Sequence, residues 1–124
     1  MSDPSADLPA EDATLVTLAR ATRVRTRAAE GAAVRDLDGR TYAAASIGLE
    51  HLRLGALEVC VAMAISSGST GLEAAVVLAD GDDVDLRAAS EFAGPGVPVL
   101  VGDASGAIRT RTSTSTIPVD DSAT

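Results

Sequence analysis

The sequence contains no lysine and no tryptophan, and its 124 residues include one tyrosine, one phenylalanine and one cysteine. Without large rings, a core must be built mostly from Ala and Val. Such a core brings backbones close but buries little area per residue, so burial between subunits would help it. The single cysteine, Cys60, excludes an intramolecular disulfide and fits a reducing compartment. Long apolar runs are missing too. The longest, Leu52 to Ile65, is broken by Arg53 and Glu58 and falls short of the roughly 20 residues that a membrane crossing needs. The opening MSDPSADLPAED has neither a basic nor an apolar stretch, so it does not read as a signal peptide or anchor, and a cytoplasmic protein is expected. All ten basic residues are arginine, which beside the Ala, Gly, Asp and Val bias fits a high-GC bacterial gene.

What the chain does have is acid. Its net charge is −8 and its pI about 4.4. Nucleic acid and anionic membranes carry the same sign, so neither is an expected partner. The length suits one domain. Residues 1–10 read as a disordered lead-in, 11–118 as the folded domain and 119–124 as a disordered polar tail.

Apolar periodicity orders the elements. Asp12 can cap a helix carrying Leu15, Leu18, Thr22 and Thr26 at helical spacing, with Ala29 near its end. Two short apolar runs, Gly31 to Val34 and Thr41 to Ile47, flank RDLDGR, where Asp38-Gly39 offers the positive-φ residues of a tight hairpin. Residues 52–67 are apolar on every side and predict a buried helix, stopped at Gly68. LEAAVVLA at 72–79 and VPVLV at 97–101 read as buried strands made parallel by a helix at 84–92, and AIRTRT as an edge strand. The order α-β-β-α-β-α-β-(β) predicts an α/β fold with a mixed sheet between helices.

That order, with GAAVRDLDGRTY in the hairpin, LRLGALEVCVAMAISSG in the central helix, EFAGPGVPVLVGDASGAIR near the end and Ile117-Pro118 in the tail, resembles the short cytidine deaminases over about Leu15 to Pro118. The best match is the family's G-A-A-[VL]-x₃-D-G-R hairpin, met by Gly31, Ala32, Ala33, Val34, Asp38, Gly39 and Arg40. The resemblance implies a cytidine-deaminase-like three-layer α/β/α sandwich with a mixed central sheet, and a homodimer or homotetramer.

It also implies zinc chemistry that these residues do not provide. Proteins of this family are similar in one helix opening C-A-E and a second opening P-C-x-x-C; three thiolates hold Zn²⁺ and the glutamate shuttles protons for the attacking hydroxide. In this sequence Gly55 falls on the first thiolate, Ala56 on the alanine and Leu57 on the glutamate, while GDDVDLRAASE, between Asp80 and Phe92, has no cysteine and is shorter than the family's segment. Where the family's N-x-E would hold a ribose stand Ser46 and Gly48, and Ala28 and Glu30 replace family residues ahead of the hairpin. Ser46, Gly48, Gly55 and Leu57 thus mark a vestigial pocket with no catalytic residue, metal or cofactor.

Other motifs have plainer readings. Cys60 in an apolar helix is a core residue and His51 a loop or capping histidine. Asp80, Asp82, Asp83 and Asp85 with Glu91 imitate a calcium loop, but Val84 stands at a ligand position and Asp85 at the glycine position, so these acids serve turns and a helix cap. GSTG at 68–71 lacks the lysine of a phosphate loop. Arg20, Arg23 and Arg27 share a stripe of the first helix, with Arg25 nearby, a solvated face or a contact for an acidic partner. The expectation is a non-catalytic protein that binds, regulates or scaffolds a partner the sequence does not identify. A nucleoside deaminase with an unrecognised site and a nucleoside-binding sensor are the alternatives.

Overall fold

The computed structural model describes residues 8–81 and 83–117. Residues 1–7 of the expected lead-in, Asp82 of the acidic loop, Pro118 and the expected tail at 119–124 lie outside the described residues. The elements run α1 (Ala10–Thr26), β1 (Gly31–Asp36), β2 (Thr41–Ala45), β3 (Ile47–Gly48), β4 (Arg53–Leu54), α2 (Ala56–Ser66), β5 (Leu72–Leu78), α3 (Arg87–Ala93), β6 (Pro98–Gly102) and β7 (Ile108–Ser113). Five strands form one mixed sheet in the order β2-β1-β5-β6-β7, and β3 pairs with β4 in a separate two-stranded ladder. As the crossover predicts, β5 and β6 are parallel; the other neighbours in the large sheet are antiparallel.

Strand alternation divides the core into two layers, one on each face of the sheet. On one face Leu15 and Ala19 of α1 pack with Ala33, Val76, Leu78, Leu100 and Ile108. On the other, Leu57, Cys60, Val61 and Ala64 of α2 and Ala89 of α3 pack with Ala32, Val34, Val77, Val99 and Val101. Because both faces of β5 are covered, its residues are buried and apolar except Glu73, which is exposed and pairs with Arg35. The small side chains permit close approach: a Cβ on Gly31 would collide with the Ala19 carbonyl oxygen and lie 2.7 Å from Arg23 Cβ.

The element boundaries differ from expectation where a distant or capping group intervenes. α1 begins at Ala10 with Pro9 before it. Asp12 does not cap the helix but pairs with Arg35 of the underlying strand β1 at 3.2 Å. The helix stops at Thr26, short of Ala29, because Arg27 turns left-handed at φ 56°. In the hairpin only Gly39 has positive φ. The Asp36 carboxylate accepts the N–H groups of Asp38 and Arg40 and Gly39 N–H reaches Asp36 O, a type I turn followed by a left-handed glycine. Residues 52–55 are not helical: Arg53–Leu54 pairs with Ile47–Gly48, so α2 starts four residues later than its apolar pattern. α3 starts at Arg87 because Asp85 Oδ1 accepts its backbone N–H at 3.0 Å. α2 does end as expected, with Gly68 at φ 92° and Ser69 N–H donating to Ala64 O at 2.9 Å.

Candidate functional site

Of the four positions expected to mark the pocket, Gly55 and Leu57 stand at the entrance of α2. A helix start leaves backbone N–H groups without intrahelical partners and carries a partial positive charge. Here the chain supplies its own anions. Gly55, extended at φ −70°, is the cap residue. Its N–H donates to Glu58 Oε1 at 2.8 Å, and the N–H of Ala56 donates to Glu30 Oε1 at 3.1 Å.

Glu30 is held from behind. Its N–H donates to Ser46 Oγ at 3.0 Å, while Ser46 N–H donates to Glu30 O at 3.1 Å. Ser46, at one of the positions where the resemblance implies sugar contacts, therefore anchors the strand junction. Leu57, where the resemblance implies a proton shuttle, is 3% exposed and lies in the core beneath α2. Gly48 sits exposed in β3, with open space around its Cα, and is not among the residues lining the adjacent cavity.

That cavity, about 100 Å³, is lined by Glu30, Gly55, Leu57, Glu58 and Val77 with Asp83, Val84 and Asp85. Its carboxylates are largely engaged. Arg87 donates from Nη2 to Asp85 Oδ2 at 2.7 Å, and this side-chain hydrogen bonding holds Asp85 down at about 2. Outside this lining, Asp80 lies 3.7 Å from the Arg23 guanidinium.

The residues present do not fit the zinc ion that the resemblance implies. The first ligand position is a glycine. Cys60 lies a turn further along the helix in the core, its thiol donating to Tyr42 O at 3.5 Å. Burial pushes that thiol up to about 12, so at neutral pH it is not the thiolate a metal binds. His51 is exposed in the β3–β4 loop. Among the described residues, no three His, Cys, Asp or Glu side chains converge to share a cation.

Sequence reasoning placed Gly55 and Leu57 but missed the two carboxylates that close the helix. A signal for one was available: glutamate three residues after Gly55 is half of a capping box. Glu30 gave no local signal, because its partner at Ala56 is distant in sequence.

The arginine stripe divides. Arg23 Nε donates to Ala29 O at 3.2 Å in addition to its Asp80 pair. Arg27 lies past the helix end, and Arg20 and Arg27 remain exposed. Among the described residues, no helix is long and apolar enough to cross a membrane.

The family described as "Cytidine deaminase-like" matches residues 8–106. This chain belongs to that family. Two solved structures share its fold. The cytidine deaminase from Burkholderia pseudomallei superposes with a TM-score of 0.71 at 19% identity, over 82% of this chain and 91% of the other. That from Mycobacterium leprae gives 0.64 at 19% identity, over 82% and 94%. No curated protein sequence matches significantly.

Proposed function

We propose that this protein is a non-catalytic member of the cytidine deaminase-like family, acting in the cytoplasm as a homo-oligomeric binding, regulatory or scaffold protein. One observation carries the reading. Where the family resemblance puts a thiolate and a proton shuttle, Glu30 and Glu58 satisfy the first N–H groups of α2 and Leu57 fills the core. Hydrolysis of an amino-pyrimidine needs an activated hydroxide and a group to move its proton. The side chains at this entrance are organised to cap a helix.

The test uses the purified full chain. Metal content by mass spectrometry should be far below one zinc per chain, and cytidine should be unchanged by chromatography after prolonged incubation. One bound zinc per chain together with conversion to uridine would overturn the proposal. The partner face proposed on Arg20, Arg23 and Arg27 narrows to Arg20 and Arg27, because Arg23 is engaged with Asp80 and Ala29. Charge reversal at those two should weaken binding of an acidic partner without altering the fold.

A further inference from the structure

Helices cover both faces of the large sheet, but β2 is an edge. In an antiparallel pair, alternate residues direct their N–H and C=O groups to the same side. Arg40 O accepts from Asp36 and Ser46 N–H donates to Glu30, which places the even-numbered residues of this segment on the β1 side. Thr41, Ala43 and Ala45 therefore direct theirs outward, and among the described residues these groups pair with nothing.

The geometry points to this edge as a self-association surface: we propose that two copies pair antiparallel through β2 about a two-fold axis at Ala43, joining two five-stranded sheets into one. This specifies the interface for the homo-oligomer proposed above and rests on that reading.

The strand is complementary to itself. With Ala43 facing Ala43 of the second copy, Thr41 faces Ala45, and each outward N–H meets an outward C=O. On the opposite face of the sheet Tyr42 faces Ala44, a large residue against a small one. Edge strands that must stay single are guarded by charges, proline or bulges. The segment TYAAA has neither charge nor proline, and its register with β1 runs without a shift. At the other edge β7 carries Arg109 and Arg111, and its pairing with β6 shifts between Val101 and Gly102.

The helices above the edge are compatible with this pairing. α2 packs on β1 and β2 alike, so strands about 4.8 Å apart put its axis about 5 Å from the two-fold. Two copies of α2 would then lie about 10 Å apart, helix-packing distance. Cys60 faces β2 through Tyr42 O, and helical rotation from there places Val59, Met63 and Ser66 on the flank toward the edge. That flank has no charge, and Met63 is 38% exposed. The only charged residue of α2, Glu58, lines the groove toward α3 on the other side. α1 is centred further back, over β1, and its Arg20 lies by Gly106 in the β6–β7 turn, on the side away from this edge. For a chain of net charge −8, an uncharged strand beneath an uncharged flank is a surface on which two copies can meet without repulsion.

Sedimentation velocity of the full chain and two variants tests the interface. Ala43→Pro removes an outward N–H that β1 does not use, so the β1–β2 ladder survives while the pairing is blocked. Thr41→Lys combined with Met63→Glu charges the strand and flank without altering the backbone. The wild type should sediment as a dimer or tetramer, and each variant at half its mass with unchanged circular dichroism. If Ala43→Pro fails to fold, the charged variant decides. A monomeric wild type would overturn both the assembly reading and this interface. A wild-type oligomer whose mass survives in the folded variants would overturn the interface alone.

Discussion

The β1–β2 hairpin and the entrance of α2 both touch the same core, yet they relate to their family in opposite ways. In the hairpin, the residues that carry the resemblance also carry the fold. Gly31 lets α1 approach where a Cβ would collide, Ala32 and Ala33 fill opposite faces of the sheet, and Gly39 adopts φ 85°. Asp36, beside them, gathers the turn: Ser69 Oγ donates to its carboxylate at 2.5 Å, Tyr42 OH at 3.3 Å, and two backbone N–H groups complete its shell. At the α2 entrance the positions where the resemblance implies chemistry hold Gly55 and Leu57, and the interactions found there serve capping and packing. Mechanical and chemical demands on a fold are separable, so likeness in the hairpin speaks for architecture and says nothing of turnover.

The largest expected effect tests whether the entrance still behaves as a site. Leu57→Glu puts a carboxylate where the resemblance implies a proton shuttle, but at a side chain only 3% exposed. A buried charge without a partner should cost more than about 3 kcal/mol in urea unfolding. A variant as stable as wild type would mean that the entrance retains a polar pocket, and the contrast with the hairpin would collapse. Next comes Gly31→Ala. The added methyl meets the Ala19 carbonyl and Arg23 Cβ, neither of which is a flexible end, so α1 must shift. The expected loss is about 2 kcal/mol by the same measurement.

Much of this contrast was legible in the sequence. The short apolar strands, the GAAV run, the glycine turn and the Gly68 helix stop are encoded by neighbours, and all are found. The misreadings have a common cause: a partner distant in sequence or a polar side chain outranked the apolar pattern. Leu52 to Leu54 continue the apolar character of α2, yet Ile47–Gly48 claims Arg53–Leu54 for a ladder. Asp12 suits a helix cap by position, yet Arg35 on β1 holds it. At the site, Gly55 and Leu57 were placed by resemblance, whereas the Glu30–Ser46–Ala56 connection joins three segments and has no local signature.

The hairpin can also be probed by pH. The Ser69 hydroxyl, helped by backbone N–H groups and Tyr42, holds the Asp36 carboxyl below its ordinary value of 3.8. A carboxyl lower in the folded chain than in the unfolded one contributes stability above the ordinary value, and loses it as pH falls toward the folded one. Asp36→Asn should therefore lower Tm at pH 7 by about 5 °C or more. Its stability should also fall less steeply than wild type as pH drops below about 4. Equal slopes would mean that Asp36 is not the ionised centre of the turn.

The smallest effects belong to the caps, and they sharpen the contrast from the α2 side. Glu30→Ala and Glu58→Ala each expose one helix-end N–H and remove one negative charge from the positive end of α2, an expected loss of about 1 kcal/mol apiece. Gly55→Ala should cost less. Its new Cβ would lie 3.3 Å from Glu58 Oε1 and 3.4 Å from Glu30 Oε1, both ends of side chains that can rotate away, and the backbone at φ −70° accepts alanine. The same methyl is thus severe at Gly31, where it meets a helix backbone, and mild at Gly55, where it meets two movable carboxylates. Because Glu30 and Glu58 act at one helix end and repel each other, each single loss is reduced by the repulsion it relieves, and removing both should cost more than the sum of the single losses. Strict additivity in that double-mutant cycle would mean that the two carboxylates act independently, leaving space between them at the helix end.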